Sequence, residues 1–284
     1  MTGEPVEVAD GVHVIPDGRV PLVPNVGIVV GEHAALVVDT GLGPRSGRYV
    51  LDRARHLAGG RALYLTTTHF HPEHGFGAQV FRGAATAVHH RAQRDELRRK
   101  GPAYLDLFAG LGPEVAAELA DVRLTGADVV YDGDRLELDL GGRTAVLEHR
   151  GPAHSAGDQT VLVDDRVLFT GDLVENRMFP IVPHFPPFDV DADADRWIAV
   201  LGELRDLRPA VVVPGHGEVG GTGLIEDVRD YLDHVRREVA RLGGGGLAFE
   251  EVAAEVGRGA RERWSTWEQP EWIALTARAF HGRA

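Results

Sequence analysis

The sequence predicts a mixed α/β fold that carries its polar chemistry at strand ends. Three observations predict it. The runs Ala34-Ala35-Leu36-Val37-Val38 and Ala62-Leu63-Tyr64-Leu65 flank a stretch, Arg45 to Leu57, in which Val50, Leu51, Ala54 and Leu57 recur at helical spacing. A strand, a helix and a strand in succession make part of a sheet parallel. Between Val129 and Glu148, short apolar stretches alternate with turns at Asp132-Gly133 and Gly141-Gly142, the pattern of a β meander or hairpin set. Finally, single polar residues (His69 and His71, His154, Asp172, His216) each follow a β-rich run and sit beside Gly or Pro.

The remaining elements fit this frame in order. Val6 to Ile15 alternates loosely and predicts one or two short strands. Val26-Gly27-Ile28-Val29-Val30 pairs with the run from Ala34, because Gly31-Glu32-His33 between them suits a hairpin. Asp39-Thr40-Gly41 follows, where Asp39 is either a turn former or an acceptor that orients a metal-bound histidine. Gly59-Gly60 closes the first helix. Ala85 to Val88 predicts a strand ending at His89-His90, taken as two exposed imidazoles. Arg91 to Lys100 reads as a solvated charged helical face. Pro102 to Ala120 reads as helix broken near Gly110-Leu111-Gly112-Pro113, with an apolar stripe of Tyr104, Leu107, Phe108 and Leu111. Thr160 to Val163 and Val167 to Phe169 are strands, and Leu173 to Val190 is a long loop rich in Pro and Phe. Ala192 to Leu207 and Leu224 to Leu242 are helices on either side of a buried strand, Ala210 to Val213. Gly243 to Gly246 is a joint. It divides residues 1–242 from a helical tail, 243–284, whose Trp264, Trp267 and Trp272 pack either on the body or on a second copy in a homodimer.

Totals narrow the function classes. An apolar share of 43% supplies a sizeable core. A formal charge of −13 argues against a nucleic-acid partner, which would want a basic face. No apolar run approaches the roughly 18 residues of a bilayer span, so no membrane partner is expected. The absence of cysteine removes disulfides and thiolate ligands. It fits the cytosol, as does the polar start Met1-Thr2-Gly3-Glu4-Pro5, which lacks an apolar export signal, so a cytoplasmic location is expected.

The chemistry concentrates in Thr68-His69-Phe70-His71-Pro72-Glu73-His74. His69 and His71 lie two apart and point the same way on an extended chain. Pro72 stops the strand, and the turn that follows can return Glu73 and His74 to the same space. Imidazoles and a carboxylate converging at a strand end propose a metal site for zinc or a similar ion. With His154, Asp172 and His216 delivered from other strand ends, five histidines and two carboxylates can ligate two metals.

The string His69-x-His71-x-Glu73-His74 with His154, Asp172 and His216 resembles the metallo-β-lactamase superfamily. So do Val37-Val38-Asp39-Thr40-Gly41, Phe169-Thr170-Gly171-Asp172 and Pro214-Gly215-His216-Gly217. The resemblance spans about residues 10–240. It implies a four-layer αββα sandwich of two mixed sheets with outer helices and metals at one edge. It implies that His69, His71 and His154 hold one metal, that Glu73, His74 and His216 hold the second, and that Asp172 bridges them. Glu73 departs from the family, which usually has Asp there, and the extra methylene displaces the carboxylate.

The resemblance further implies a hydrolase with two Zn2+ ions, Fe or Mn being alternatives. A metal-bridging hydroxide would attack an ester, thioester, lactone or amide of a small organic substrate, with Asp172 and Glu73 as catalytic carboxylates. Ser46, Ser155 and Ser265, the three serines, lie outside any G-x-S-x-G elbow. Asn176, Arg177, Phe179 and His184 in the long loop are candidate substrate contacts. The alternatives are an iron-dependent oxidoreductase acting on a persulfide, and a non-catalytic metal-binding module.

Overall fold

The computed structural model describes residues 3–281. The chain builds two sheets in turn. β1 (Val6–Ala9), β2 (Val12–Ile15), β3 (Val26–Val30) and β4 (Ala34–Val38) run antiparallel. The helix α1 (Pro44–Ala58) then carries the chain to β5 (Ala62–Thr66), which pairs parallel with β4. α1 starts at Pro44, pre-set for a first helical turn, and ends where Gly59 takes a left-handed conformation at φ 58°. A single helical turn, α2 (Pro72–Gly75), and a 3-10 stretch (Phe76–Phe81) lead to β6 (Thr86–His90), parallel to β5.

After α3 (Arg91–Ala109) and α4 (Pro113–Leu119), β7 (Val129–Tyr131) completes a seven-stranded sheet beside β6. The second sheet has five strands in the order β12-β11-β10-β9-β8. These are β8 (Arg135–Asp139), β9 (Thr144–His149), β10 (Gln159–Val163), β11 (Val167–Glu175) and β12 (Val211–His216). α5 (Ala194–Asp206) provides the crossover that makes β11 and β12 parallel. α6 (Gly223–Gly243), α7 (Phe249–Arg263) and α8 (Ile273–Phe280) follow.

The central strands are buried throughout, and the layer that each side chain faces alternates residue by residue. Leu36 and Val38 face Leu147, Val161, Val163, Phe169 and Val213 between the sheets. Their neighbours Ala35 and Val37 face Val50, Leu51 and Ala54 of α1. On the far side, Leu162, Leu168 and Val212 pack against Trp197, Leu201 and Leu204 of α5 and Val228, Tyr231 and Leu232 of α6. Strands covered on both faces read as continuous apolar runs. The architecture is the predicted αββα sandwich.

Four local expectations change. The meander is divided: β7 joins the first sheet, and the Asp132-Gly133 turn is where the chain passes to the β8–β9 hairpin of the second. α3 continues through Pro102, so the charged stretch and the stripe residues Tyr104, Leu107 and Phe108 belong to one helix. Its charged face is not solvated throughout, for Glu96 and Lys100 are 2% and 0% exposed. His89 and His90 are buried, not exposed. His90 caps α3, its Nδ1 accepting the Ala92 N–H at 3.2 Å, and its ring stacks on His149 at 3.9 Å. Two of the three tryptophans, Trp264 and Trp267, pack on Tyr231 of α6 at the edge of the core.

The burial of His89 sets an acid limit on stability. Loss of hydration pushes its pKa down to about 4 from 6.5, against the weaker pull of Asp128. Between these values the unfolded chain binds the extra proton, so stability falls as pH drops from about 6.5 to about 4, by up to about 3 kcal/mol. Urea denaturation of His89→Gln should show a flatter dependence in this window than the parent.

Candidate metal centre

Five imidazoles and Asp172 meet where the strand ends of both sheets come together. β4 delivers Asp39, which is 1% exposed and held at φ 70°. Its Oδ1 accepts the Thr68 N–H at 2.7 Å and its Oδ2 accepts the Thr68 hydroxyl at 3.0 Å and His74 Nδ1 at 2.9 Å. The Thr68 hydroxyl, having donated to Asp39, accepts from His69 Nδ1 at 3.1 Å. One carboxylate thus fixes two imidazoles, the orienting role open to Asp39 from sequence. The turn at Pro72 is α2, and it brings Glu73 and His74 back beneath His69 and His71, with the Thr40 N–H donating to the His74 carbonyl at 2.8 Å.

The other stations are fixed in the same manner. His154 Nδ1 donates to the Ile181 carbonyl and His216 Nδ1 to the Val23 carbonyl, each at 3.1 Å, so both present Nε2 inward. Ser155, next to His154, is tied by its N–H and hydroxyl to the buried carboxylate of Asp158. Asp172 stands in β11 after Gly171, whose φ of 53° turns the strand. Gly215 is required opposite, since a Cβ there would fall 2.0 Å from Asp172 Oδ1.

The donor atoms form two overlapping sets. Within each set, His69, His71, His154 and Asp172, or Glu73, His74, Asp172 and His216, all donor atoms lie within 4.8 Å of one another. His71 Nδ1 is 3.0 Å from His69 Nε2 and 3.1 Å from His154 Nε2; Asp172 Oδ2 is 3.6 and 3.7 Å from the same two nitrogens. A tetrahedron with bonds of 2.0–2.1 Å to its centre has edges of about 3.3 Å, so these separations fit a zinc-sized cation. Asp172 Oδ1 lies 3.1 Å from His74 Nε2 and 3.7 Å from His216 Nε2. His74 Nε2, Asp172 Oδ1 and Glu73 Oε2 are buried without a hydrogen bond, which leaves them free for a cation.

Electrostatics agree with that use. Burial holds His69, His71, His154 and His216 below the usual imidazole range, in the neutral form that ligates metals. His74 is raised, because Asp172 and Asp39 outweigh its burial. Burial opposes ionisation of Asp172, yet His74, His216 and His69 hold its carboxyl well below the usual range. Burial pushes Glu73 up to about 7.

Two groups of buried charged residues beside the site lay outside the sequence reading. Glu175 ends β11 opposite His216 and is 3% exposed; burial and then the charge of Asp172 push its carboxyl well above the carboxylate range. A carboxylate inside a fully buried strand, three residues after Asp172, was the available signal. The second group centres on Lys100, whose ammonium donates to Glu96 at 2.5 Å and Asp189 at 2.7 Å. Glu96 also accepts the Ala156 and Gly157 N–H groups behind His154, and Tyr104 donates to Asp189 while stacking on His71 at 5.0 Å.

The long-loop candidates separate. Asn176 lies beside His216, its N–H donating to the His216 carbonyl at 2.9 Å and its side chain to Glu218. Arg177 and His184 are exposed. Phe179 does not line an open pocket: it is 1% exposed and packs on Tyr231 and Trp267, because the C-terminal helices cover that end of the loop.

Comparison with known proteins bears on this geometry. A family model described as the metallo-beta-lactamase superfamily matches residues 19–216. The chain belongs to that superfamily. A linear primary-alkylsulfatase of a Pseudomonas species is 27% identical over 256 residues, covering 78% of this chain and 47% of the relative. The chain therefore spans about half the length of that relative. The acyl-coenzyme A thioesterase MBLAC2 of Bos taurus is 30% identical over 210 residues, 68% of this chain and 72% of the relative. The solved sec-alkylsulfatase Pisa1 from Pseudomonas sp. superposes with a TM-score of 0.75 at 16% identity, over 99% of this chain and 50% of that one. Among the described residues no helix is long and apolar enough to cross a membrane.

Two substitutions test the supports. Asp39→Ala frees the His74 and His69 rings and should weaken metal binding about 10–100-fold in chelator competition. Lys100→Met strands buried Glu96 and Asp189 and should cost about 3–5 kcal/mol in urea denaturation.

Proposed function

We propose that the chain is a dinuclear zinc hydrolase of a small organic carboxylic ester or thioester, lactones and amides being within reach of the same chemistry. The observation that carries this reading is the pair of four-donor sets sharing Asp172. The donor chemistry, imidazole and carboxylate without thiolate, suits zinc. His69, His71, His154 and Asp172 would hold one ion, and Glu73, His74, His216 and Asp172 the other. Two such cations, when bound, supply Lewis acidity and a water acidified to near-neutral pKa.

The protein's own groups do the rest. The hydrogen bonds to Thr68, Asp39, Ile181 and Val23 fix the imidazole tautomers before any ligand arrives. Asp172 stays ionised in a water-poor site and can accept a hydrogen bond from an attacking group. A thioester is favoured because the MBLAC2 relative, of which the chain covers 72%, is a thioesterase by name. A sulfate ester is the second reading, supported by the alkylsulfatase relative.

Elemental analysis of the purified chain should give about two zinc per chain. Chelation should abolish hydrolysis across a panel of thioesters, carboxylic esters, lactones, amides and sulfate esters, and zinc should restore it. Asp172→Ala should lower kcat/KM at least about a thousandfold, on the scale of removing a group that organises charge in the transition state. Iron in place of zinc with persulfide oxidation, or turnover indifferent to chelators, would overturn the reading.

A further inference from the structure

We propose that the uncharged alkyl or acyl chain of the substrate lies in a cavity of about 550 Å3 between the loop before β3, the start of α1, and α4. Pro21, Leu22, Leu42, Tyr49 and Val115 line it. Several hundred cubic ångströms with mostly apolar walls and few polar groups is the usual form of a small-molecule site.

The cavity is joined to the metal centre on two sides. Val23, in its wall, holds His216 through its carbonyl. Leu22, Leu42 and Val115 belong to one apolar cluster with Phe70 and Tyr104, and Tyr104 lies on His71. Direct contacts therefore link the walls of the cavity to residues of both donor sets.

The charges in the lining select the occupant. Arg45 pairs with Glu118 at 2.5 Å, and Glu114 adds a further negative charge. The balance disfavours an anionic headgroup in the cavity and leaves an uncharged hydrocarbon chain as the ligand that fits. This assignment rests on the hydrolase reading and names the substrate class within it: medium-chain or longer esters and thioesters rather than acetyl compounds. It requires no group from outside the cavity, and the cleavable bond remains at the metal centre.

The test compares p-nitrophenyl acetate with p-nitrophenyl octanoate on the full chain. The parent should favour octanoate at least tenfold in kcat/KM. Val115→Trp and Leu22→Trp, which fill the cavity from α4 and from the loop before β3, should bring that ratio below about two by raising the octanoate KM. Thermal midpoints identify a variant that fails to fold, and the other then decides. Binding of 1-octanol to the full chain, followed by NMR, asks the same question without turnover and should weaken at least tenfold in either variant. Equal rates on both esters in the parent, or an unchanged ratio in folded variants, overturns the assignment. Absence of hydrolysis across the whole panel of thioesters, esters, lactones, amides and sulfate esters, with 1-octanol bound by the parent and lost in the variants, overturns the hydrolase reading and leaves the cavity standing as a site for an alkyl chain.

Discussion

The structure depends on one carboxylate. Asp172 stands within 3.1–3.7 Å of His69, His74, His154 and His216, delivered from three separate segments of the chain. A buried anion in such a place is unfavourable unless cations or protonated neighbours surround it. The arrangement around it consequently admits little freedom. Gly215 leaves room for the carboxylate, Asp39 and Thr68 hold the nearer rings, and the carbonyls of Val23 and Ile181 hold the farther ones. The two sheets are positioned so that these loops meet, and the interlocking apolar layer of Leu36, Val38, Val161 and Phe169 keeps them there.

Much of this was legible in the sequence, for a physical reason. Strands buried on both faces must be apolar throughout, so Ala34–Val38 and Val167–Phe169 announce themselves, and a polar residue just beyond each is conspicuous. The hairpin at Gly31-Glu32-His33 and the helix closed by Gly59 obey local rules of turn and cap chemistry. The His-x-His spacing and the turn at Pro72 likewise encode their geometry within a few residues.

What escaped the sequence was set by partners distant along the chain. Lys100 reads as a surface charge because Asp189, its partner, lies 89 residues away. His89 and His90 read as exposed because the packing that covers them comes from elsewhere, His149 among it. Phe179 sits in a stretch rich in proline and aromatics and reads as a pocket wall, yet Tyr231 and Trp267 close over it. Glu175 was hidden by its strand: its meaning comes only from the register that sets it opposite His216. Local chemistry fixes elements, and long-range pairing decides which charges are buried.

The covering of Phe179 ties the far end of the chain to the site. The Phe179 N–H donates to the Glu268 carbonyl, the Glu268 N–H to the Arg177 carbonyl, and the Thr276 hydroxyl to the Pro180 carbonyl. Ile181, the next residue, supplies the carbonyl that steadies His154. The last forty or so residues thus act as a brace on a metal-facing imidazole without approaching it. Cutting the chain after α6 would take away that brace and let the segment behind His154 drift, although all seven proposed metal-binding side chains would remain.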